Sequence, residues 1–435
     1  MSHTALRSPM ARTRPRWRRL GWHAALALAA WLAAPAAQAA WFVWETVELS
    51  LATGASCGNG TPYRFFVNRT PLNGHVAISF EGGGACWDQD ACEGRGEYSA
   101  TNPDGIPADY LAQPNAAAGG LVTPFTARVD PFQSVQTQDW TLVYLPYCTG
   151  DVHTGSTVRV YGDQRPDAPR VQYHAGQANV RAAADWMRRH LGRPDKLLLT
   201  GFSAGGVGAT AQHAIVRDRL APRGRTTLLA DSGPLMSAPR GHTREQSPSL
   251  PLHERIRATW GLDAPGGLIP TLQARLPTLN PDDLGSLHGA LARRYTQDRF
   301  GYMVFQEDGI FAGFSYLDFF PEIANEPDPK RRADLLNALW RQDLAHWLPT
   351  LDAEPNIQYH VPFFRDFNES HCLTIVDFSG TGIQEAGLAT VEPFINSALD
   401  RKPPLRTVEQ DQLSDLGQPL SLALEILAIV LELFG

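Results

Sequence analysis

Short apolar runs that stop at glycine or polar clusters recur along the chain. "HVAISF" precedes "EGGGACW", "WTLVYLPY" precedes "CTGDVHTG", "KLLLTG" precedes "FSAGG", "TTLLA" precedes "DSG" and "YMVFQ" precedes "EDG". Such runs, apolar at nearly every position, predict strands buried on both faces, as in a mostly parallel sheet covered by helices. Helical patterns alternate with them. "GQANVRAAADWMRRHL" sets Val180, Ala183, Met187 and Leu191 on one stripe, "AGGVGATAQHAIVRDRL" follows Ser203, and "RRADLLNALWRQDLAHWL" comes later. Strand alternating with helix predicts an α/β fold with its polar strand-end loops gathered at the carboxyl edge of the sheet. Residues 235–300, proline-rich and weakly periodic, read as a cap or insertion within a single domain spanning 41–435.

The two ends read differently. Residues 1–40 combine six arginines, the apolar "GWHAALALAAWLAAP" and the small-residue "AQA", the pattern of a cleaved export signal. The run is too short and alanine-rich for a stable membrane span. At the other end "LSLALEILAIVLELFG", residues 420–435, is apolar but short and carries Glu425 and Glu432, so a packed apolar helix is expected.

Composition then narrows the partners. Residues 1–40 hold six of the 38 basic residues and none of the 45 acidic ones, so the rest carries a net charge of −13. That charge excludes general nucleic-acid binding and gives no help with a polyanionic substrate. Export, to the periplasm or the medium, permits disulfides among Cys57, Cys86, Cys92, Cys148 and Cys372. Cys86 and Cys92 enclose only "WDQDA" and are the easiest pair; Cys57 with Cys148 would be a second. Without a CxxC pair or an HExxH sequence, neither a metal nor another cofactor is expected.

The chemistry centres on "GFSAG", residues 201–205. G-x-S-x-G after a strand and before a small-residue helix fits a nucleophile elbow, with Ser203 as nucleophile and Gly201 and Gly205 flanking it where side chains would clash. The competing reading is an ordinary capping serine on a glycine-rich helix start. An elbow needs an oxyanion hole, for which Ala204 supplies one amide and "FEGGGACW" another, if that stretch is more than a glycine turn. In this fold the acid and then the histidine follow the serine. His213, His242, His253, His288, His346, His360 and His371 qualify by order; His371 is last, in the polar "FNESHCLT", whereas His360 lies inside an apolar run. Asp308 and Asp231 both sit at strand ends, and the pattern leaves the two open.

Seven stretches resemble the pectin acetylesterase/Notum family of secreted α/β-hydrolase-like carboxylesterases, in the family's order: "CGNGTPYRFF", "ISFEGGGACWDQDAC", "VYLPYCTGDVHTG", "LLLTGFSAGGVGA", "LLADSG", "FQEDGIF" and "SHCLTIVDFSGT". The resemblance implies Ser203 as nucleophile, Asp308 as acid and His371 as base, with oxyanion donors at the amides of Gly83 and Ala204. It demotes Asp231 to a structural strand end. It also supports the Cys86–Cys92 and Cys57–Cys148 bridges and leaves Cys372 free. The implied substrate is a carboxylic ester, first an O-acetylated polysaccharide and alternatively a longer acyl ester; a non-catalytic binding protein on the same fold is a third reading. The chain departs from animal members at Gly84, where an aromatic is common, so the acyl side is either wider or filled by Trp87 or Phe311. It departs again at Cys372, in place of an aromatic. Residues 235–300 match poorly, and substrate identity is expected to reside there.

Overall fold

The computed structural model describes residues 41–113, 116, 123–128 and 133–412. The expected export signal and the apolar segment 420–435 lie outside the described residues. Among the described residues no helix is long and apolar enough to cross a membrane.

Eleven strands are described: β1 Trp44–Glu48, β2 Arg64–Asn68, β3 Val76–Phe80, β4 Thr141–Leu145, β5 Thr157–Tyr161, β6 Arg170–His174, β7 Leu197–Phe202, β8 Thr226–Asp231, β9 Arg299–Met303, β10 Ile357–Val361 and β11 Arg406–Val408. Nine form one sheet in the order β1-β2-β4-β3-β7-β8-β9-β10-β11, and β5 and β6 make a separate antiparallel ribbon. From β4 to β11 every pairing in the large sheet is parallel; only β1 and β2 run against their neighbours. Strands β3, β4, β7 and β8 are buried at every residue. That is why they read as unbroken apolar runs rather than alternating ones. The run "YMVFQ" enters β9 only through Tyr302 and Met303. Beyond it, Val304 and Gln306 still donate to His360 O and Pro362 O alongside β10.

The strand order positions the site. From β3 the chain crosses to β4 on one side, and from β7 it proceeds through β8, β9 and β10 on the other. The order therefore reverses between β3 and β7, and open parallel sheets bind ligands beyond the carboxyl ends of strands at such a point. The register pairs Phe80 with Gly201, Phe202 with Asp231 and Asp231 with Met303. The loops after β3, β7, β8 and β9 thus leave the sheet at one level.

Residues 235–300 carry three helices, Leu250–Trp260, Leu268–Gln273 and Leu287–Arg294, joined by turns and irregular segments. Ile256, Trp260, Leu268, Leu272 and Leu287 are buried in the same apolar core as the sheet residues Ile78 and Leu199. The weak periodicity has a local cause: prolines and glycines divide the segment into short helices, each with only a few inward positions.

Two disulfides brace the loops. Cys57–Cys148 has a Cα–Cα distance of 5.1 Å and ties the segment before β2 to the loop after β4. Cys86–Cys92, at 4.9 Å, closes the loop after the triglycine, and Cys372 is a buried free thiol. Mass spectrometry of the unreduced chain is expected to find these two linkages and an unlinked Cys372. A cross-link from Cys372 to any other cysteine would overturn the pairing.

Candidate active site

Ser203 occupies the turn from β7 into the Ala204–Leu220 helix with φ 55° and ψ −127°. This backbone is costly for a residue with a Cβ, by about 1–3 kcal/mol, and survives only where the surroundings over-determine it. The neighbouring glycines show what does so. A Cβ on Gly201 would lie 2.6 Å from Gly205 O, and one on Gly205 would lie 2.0 Å from Phe80 O. Strand, turn and helix therefore meet backbone against backbone. Ser203 makes no side-chain capping bond to the helix it precedes, unlike an ordinary cap.

The triglycine leaves β3 beside it. Gly83 and Gly84 both have positive φ, 128° and 67°, and Thr101 N donates to Gly83 O at 3.0 Å. Neither the Gly83 nor the Ala204 amide has a hydrogen-bond partner among the described residues. Behind this loop lies a polar cluster that the sequence did not reveal. Glu81 is fully buried and accepts from Tyr110 OH and the Tyr147 amide. Asn102 Nδ2 donates to Tyr110 OH and to Tyr147 O, both at 2.8 Å. Burial pushes the Glu81 carboxyl up to about 8 against the pull of these donors.

His371 lies in the loop after β10. Its Nδ1 is 3.0 and 2.9 Å from Asp308 Oδ1 and Oδ2. Nδ1 therefore carries the proton donated to the carboxylate, and Nε2 is left bare. Nε2 is buried and has no hydrogen-bond partner among the described residues. Asp308 is itself fixed, because Oδ1 accepts from Phe311 N at 2.8 Å and caps the Gly309–Tyr316 helix.

Asp231, the rival carboxylate, is fully buried and faces a different set of donors. It accepts from Leu373 N at 2.9 Å, Thr374 N at 2.7 Å and Thr374 Oγ1 at 2.7 Å. Ser232 Oγ accepts from Cys372 N at 2.9 Å. The "DS" at the end of β8 thus tethers the residues that immediately follow His371. The tether has work to do, since Asn368, Glu369, Ser370 and Cys372 all have positive φ. Arg365, fully buried, donates to Cys372 O and to Ser379 O across the same loop.

Two spaces open from Ser203. One is an apolar pocket of about 60 Å³ lined by Gly84, Trp87, Ala204, Val207, Leu235, Ile256, Phe311 and Phe314, among others. The other is an open, half-polar groove of about 460 Å³ walled by Gly83, Glu97, Ser99, Thr101, Asn102, Asn368 and His371. Ser203, His371 and Gly83 share this groove; Ser203, Ala204, Gly84, Trp87 and Phe311 share the pocket. Gly84 leaves no width behind. A Cβ there would lie 2.1 Å from Ser99 O and 2.9 Å from Phe314 Cζ, so Phe314, which the sequence reading did not single out, closes that wall with Trp87 and Phe311.

Cys86, Cys92 and His174 cluster closely enough to suggest a metal site. The two sulfurs are bonded to each other, and the His174 nitrogens are engaged by Thr149 O and Tyr161 OH, so the cluster offers no free ligand.

The pectinacetylesterase family model matches residues 36–250. The chain belongs to the pectin acetylesterase/Notum family. The matched stretch holds the triglycine and the serine elbow of this family, while Asp308 and His371 lie beyond it. Among curated proteins, the chain is 25% identical over 185 residues to palmitoleoyl-protein carboxylesterase notum1a of Danio rerio, covering 42% of this chain and 34% of that one. It is 23% identical over 193 residues to palmitoleoyl-protein carboxylesterase NOTUM of Homo sapiens, covering 43% and 36%. The matched stretch thus spans about a third of these relatives' length. The solved structure of the Wnt deacylase Notum from Drosophila superposes with a TM-score of 0.56 at 15% identity, covering 86% of this chain and 99% of that one. The family's α/β-hydrolase-like fold is shared.

Proposed function

We propose that this chain is an exported serine carboxylesterase, with Ser203 as nucleophile, His371 as base and Asp308 as the acid that orients it. The observation that carries the reading is a strained elbow serine sharing one groove with a histidine whose Nδ1–H is held by a buried carboxylate and whose Nε2 is bare. In this mechanism Nε2 takes the Ser203 proton as Oγ bonds to the ester carbonyl carbon. The resulting oxyanion is stabilised by the amides of Gly83 and Ala204. Collapse breaks the carbon–oxygen bond to the alcohol, which leaves with the proton from Nε2. A water then gives its proton to Nε2, attacks the acyl-enzyme and releases the acid, and the proton returns to Ser203.

The two spaces divide the ester between them. The apolar pocket takes the acyl group, and its 60 Å³ suits a short one. The groove, with the hydroxyls of Ser99 and Thr101 and the amide of Asn368, takes a hydroxyl-rich alcohol. An O-acetylated carbohydrate fits both. A second reading, a longer acyl ester, is favoured by one feature. A further apolar space of about 20 Å³ shares Val152, Val207, Leu235 and Ile256 with the first. A p-nitrophenyl ester series decides between them. Rates are expected to fall sharply past butyryl, because filled walls discriminate by about 1–3 kcal/mol per methylene. A rate that climbs from acetyl to octanoyl would select the longer acyl ester, and no turnover of any ester would end the esterase reading. Export through a signal at residues 1–40 belongs to the same proposal, with a mature N-terminus at or near Ala40.

A further inference from the structure

The acyl pocket is mostly apolar; apart from Ser203 and Ser315, whose hydroxyl is held by Phe311 O, its polar side chains lie along one wall. The Leu250–Trp260 helix and its N-cap turn Ser249, Leu252, His253, Ile256 and Trp260 towards it, at the spacing of one helical face. His253 is 4% exposed. Its Nδ1 is buried, and among the described residues neither Nδ1 nor Nε2 has a hydrogen-bond partner. Buried polar side chains nearly always have partners, and an exception calls for a ligand, a water or a functional reason. Packing gives no such reason, since leucine would fill the same wall without leaving a ring nitrogen unpaired. Burial, with the nearby Arg257, lowers His253 to about 3. The ring is therefore neutral and offers one N–H donor and one bare nitrogen acceptor.

Resting on the esterase reading above, we propose that the acyl group this pocket is built for is a short one carrying a hydroxyl, a hydroxyacyl ester, with His253 as its specificity-determining partner. A hydroxyl both donates and accepts, so it satisfies either tautomer of a neutral histidine; a carbonyl satisfies only the N–H. The pocket's volume holds the group to a few carbons, and its apolar walls steer the hydroxyl to the wall that carries His253 and the Ser249 hydroxyl.

The test is a matched pair on the full-length chain: p-nitrophenyl 3-hydroxybutyrate against p-nitrophenyl 3-methylbutyrate, in which a methyl of similar size replaces the hydroxyl. Each kcat/KM is divided by the ester's own hydroxide-catalysed rate, which removes intrinsic reactivity. The hydroxyl ester is expected to win by on the order of tenfold or more, because a site built to hydrogen-bond a hydroxyl rejects the analogue that lacks it. His253→Leu should abolish most of that preference, and His253→Gln, which keeps a donor and an acceptor, should retain part of it. Melting curves of both variants check the fold. Equal ratios for the pair in the parent chain, or an undiminished preference in His253→Leu, overturn the proposal; the second result would mean that a bound water satisfies His253. p-Nitrophenyl acetate in the same assay reports on the esterase reading alone. Turnover of acetate without a hydroxyl preference removes only the pocket assignment, whereas no turnover of any ester removes both.

Discussion

Asp308→Asn is expected to lower kcat for ester hydrolysis by about four orders of magnitude with the fold retained. Both carboxylate oxygens lie within 3.0 Å of His371 Nδ1. An amide in that place can present its NH2 to Nδ1, which drives the proton to Nε2 and removes the base. The structural role of Asp308, capping the Gly309–Tyr316 helix through Phe311 N, survives the change because asparagine caps as well as aspartate. Asp231→Asn should behave in the opposite sense. It removes one acceptor from a carboxylate that takes three donors from Leu373 and Thr374. Losing a buried hydrogen bond to a charged group costs about 1.5–3 kcal/mol. Thermal melts should therefore show the larger loss for Asp231→Asn and steady-state kinetics the larger loss for Asp308→Asn. Reversed results would make Asp231 the acid.

Ser203→Ala is expected to reduce kcat by three orders of magnitude or more and to change stability little. Alanine at φ 55° carries the same Cβ strain as serine, and no capping bond is lost because Ser203 makes none. Ser203→Gly provides the complementary measurement. It relieves the strain at a position that only glycine adopts freely, so it should be at least as stable as the parent chain and equally inactive. A fluorophosphonate probe should label the parent chain at Ser203 and neither variant. Near-normal turnover by folded Ser203→Ala would remove the nucleophile, and with it the mechanism.

The strands and the elbow were legible because their causes are local. A strand buried on both faces needs apolar residues at every position, and a turn in which Gly205 passes Phe80 O needs glycine; both requirements leave marks within a few residues. The boundary of β9 was less so. Its apolar run continues into residues that pair with β10 only as an irregular extension, which the pattern of one segment does not record.

What the sequence by itself determined, then, is the α/β alternation, the serine at its sharp turn, the triglycine after β3 and the two aspartates at strand ends. Only the tertiary structure decided which aspartate faces which partner. Asp231 ends β8, Asp308 follows the adjacent parallel strand β9, and the two look alike in pattern. They differ because the loop after β10 folds back with His371 against one and the amides of Leu373 and Thr374 against the other. The same holds for Phe314 behind Gly84, for Glu81 behind the triglycine loop and for His253 in the pocket wall. Each acts through residues far away in sequence, and a contact between distant segments is set by how the strands order themselves in the sheet, which no single stretch of chain encodes.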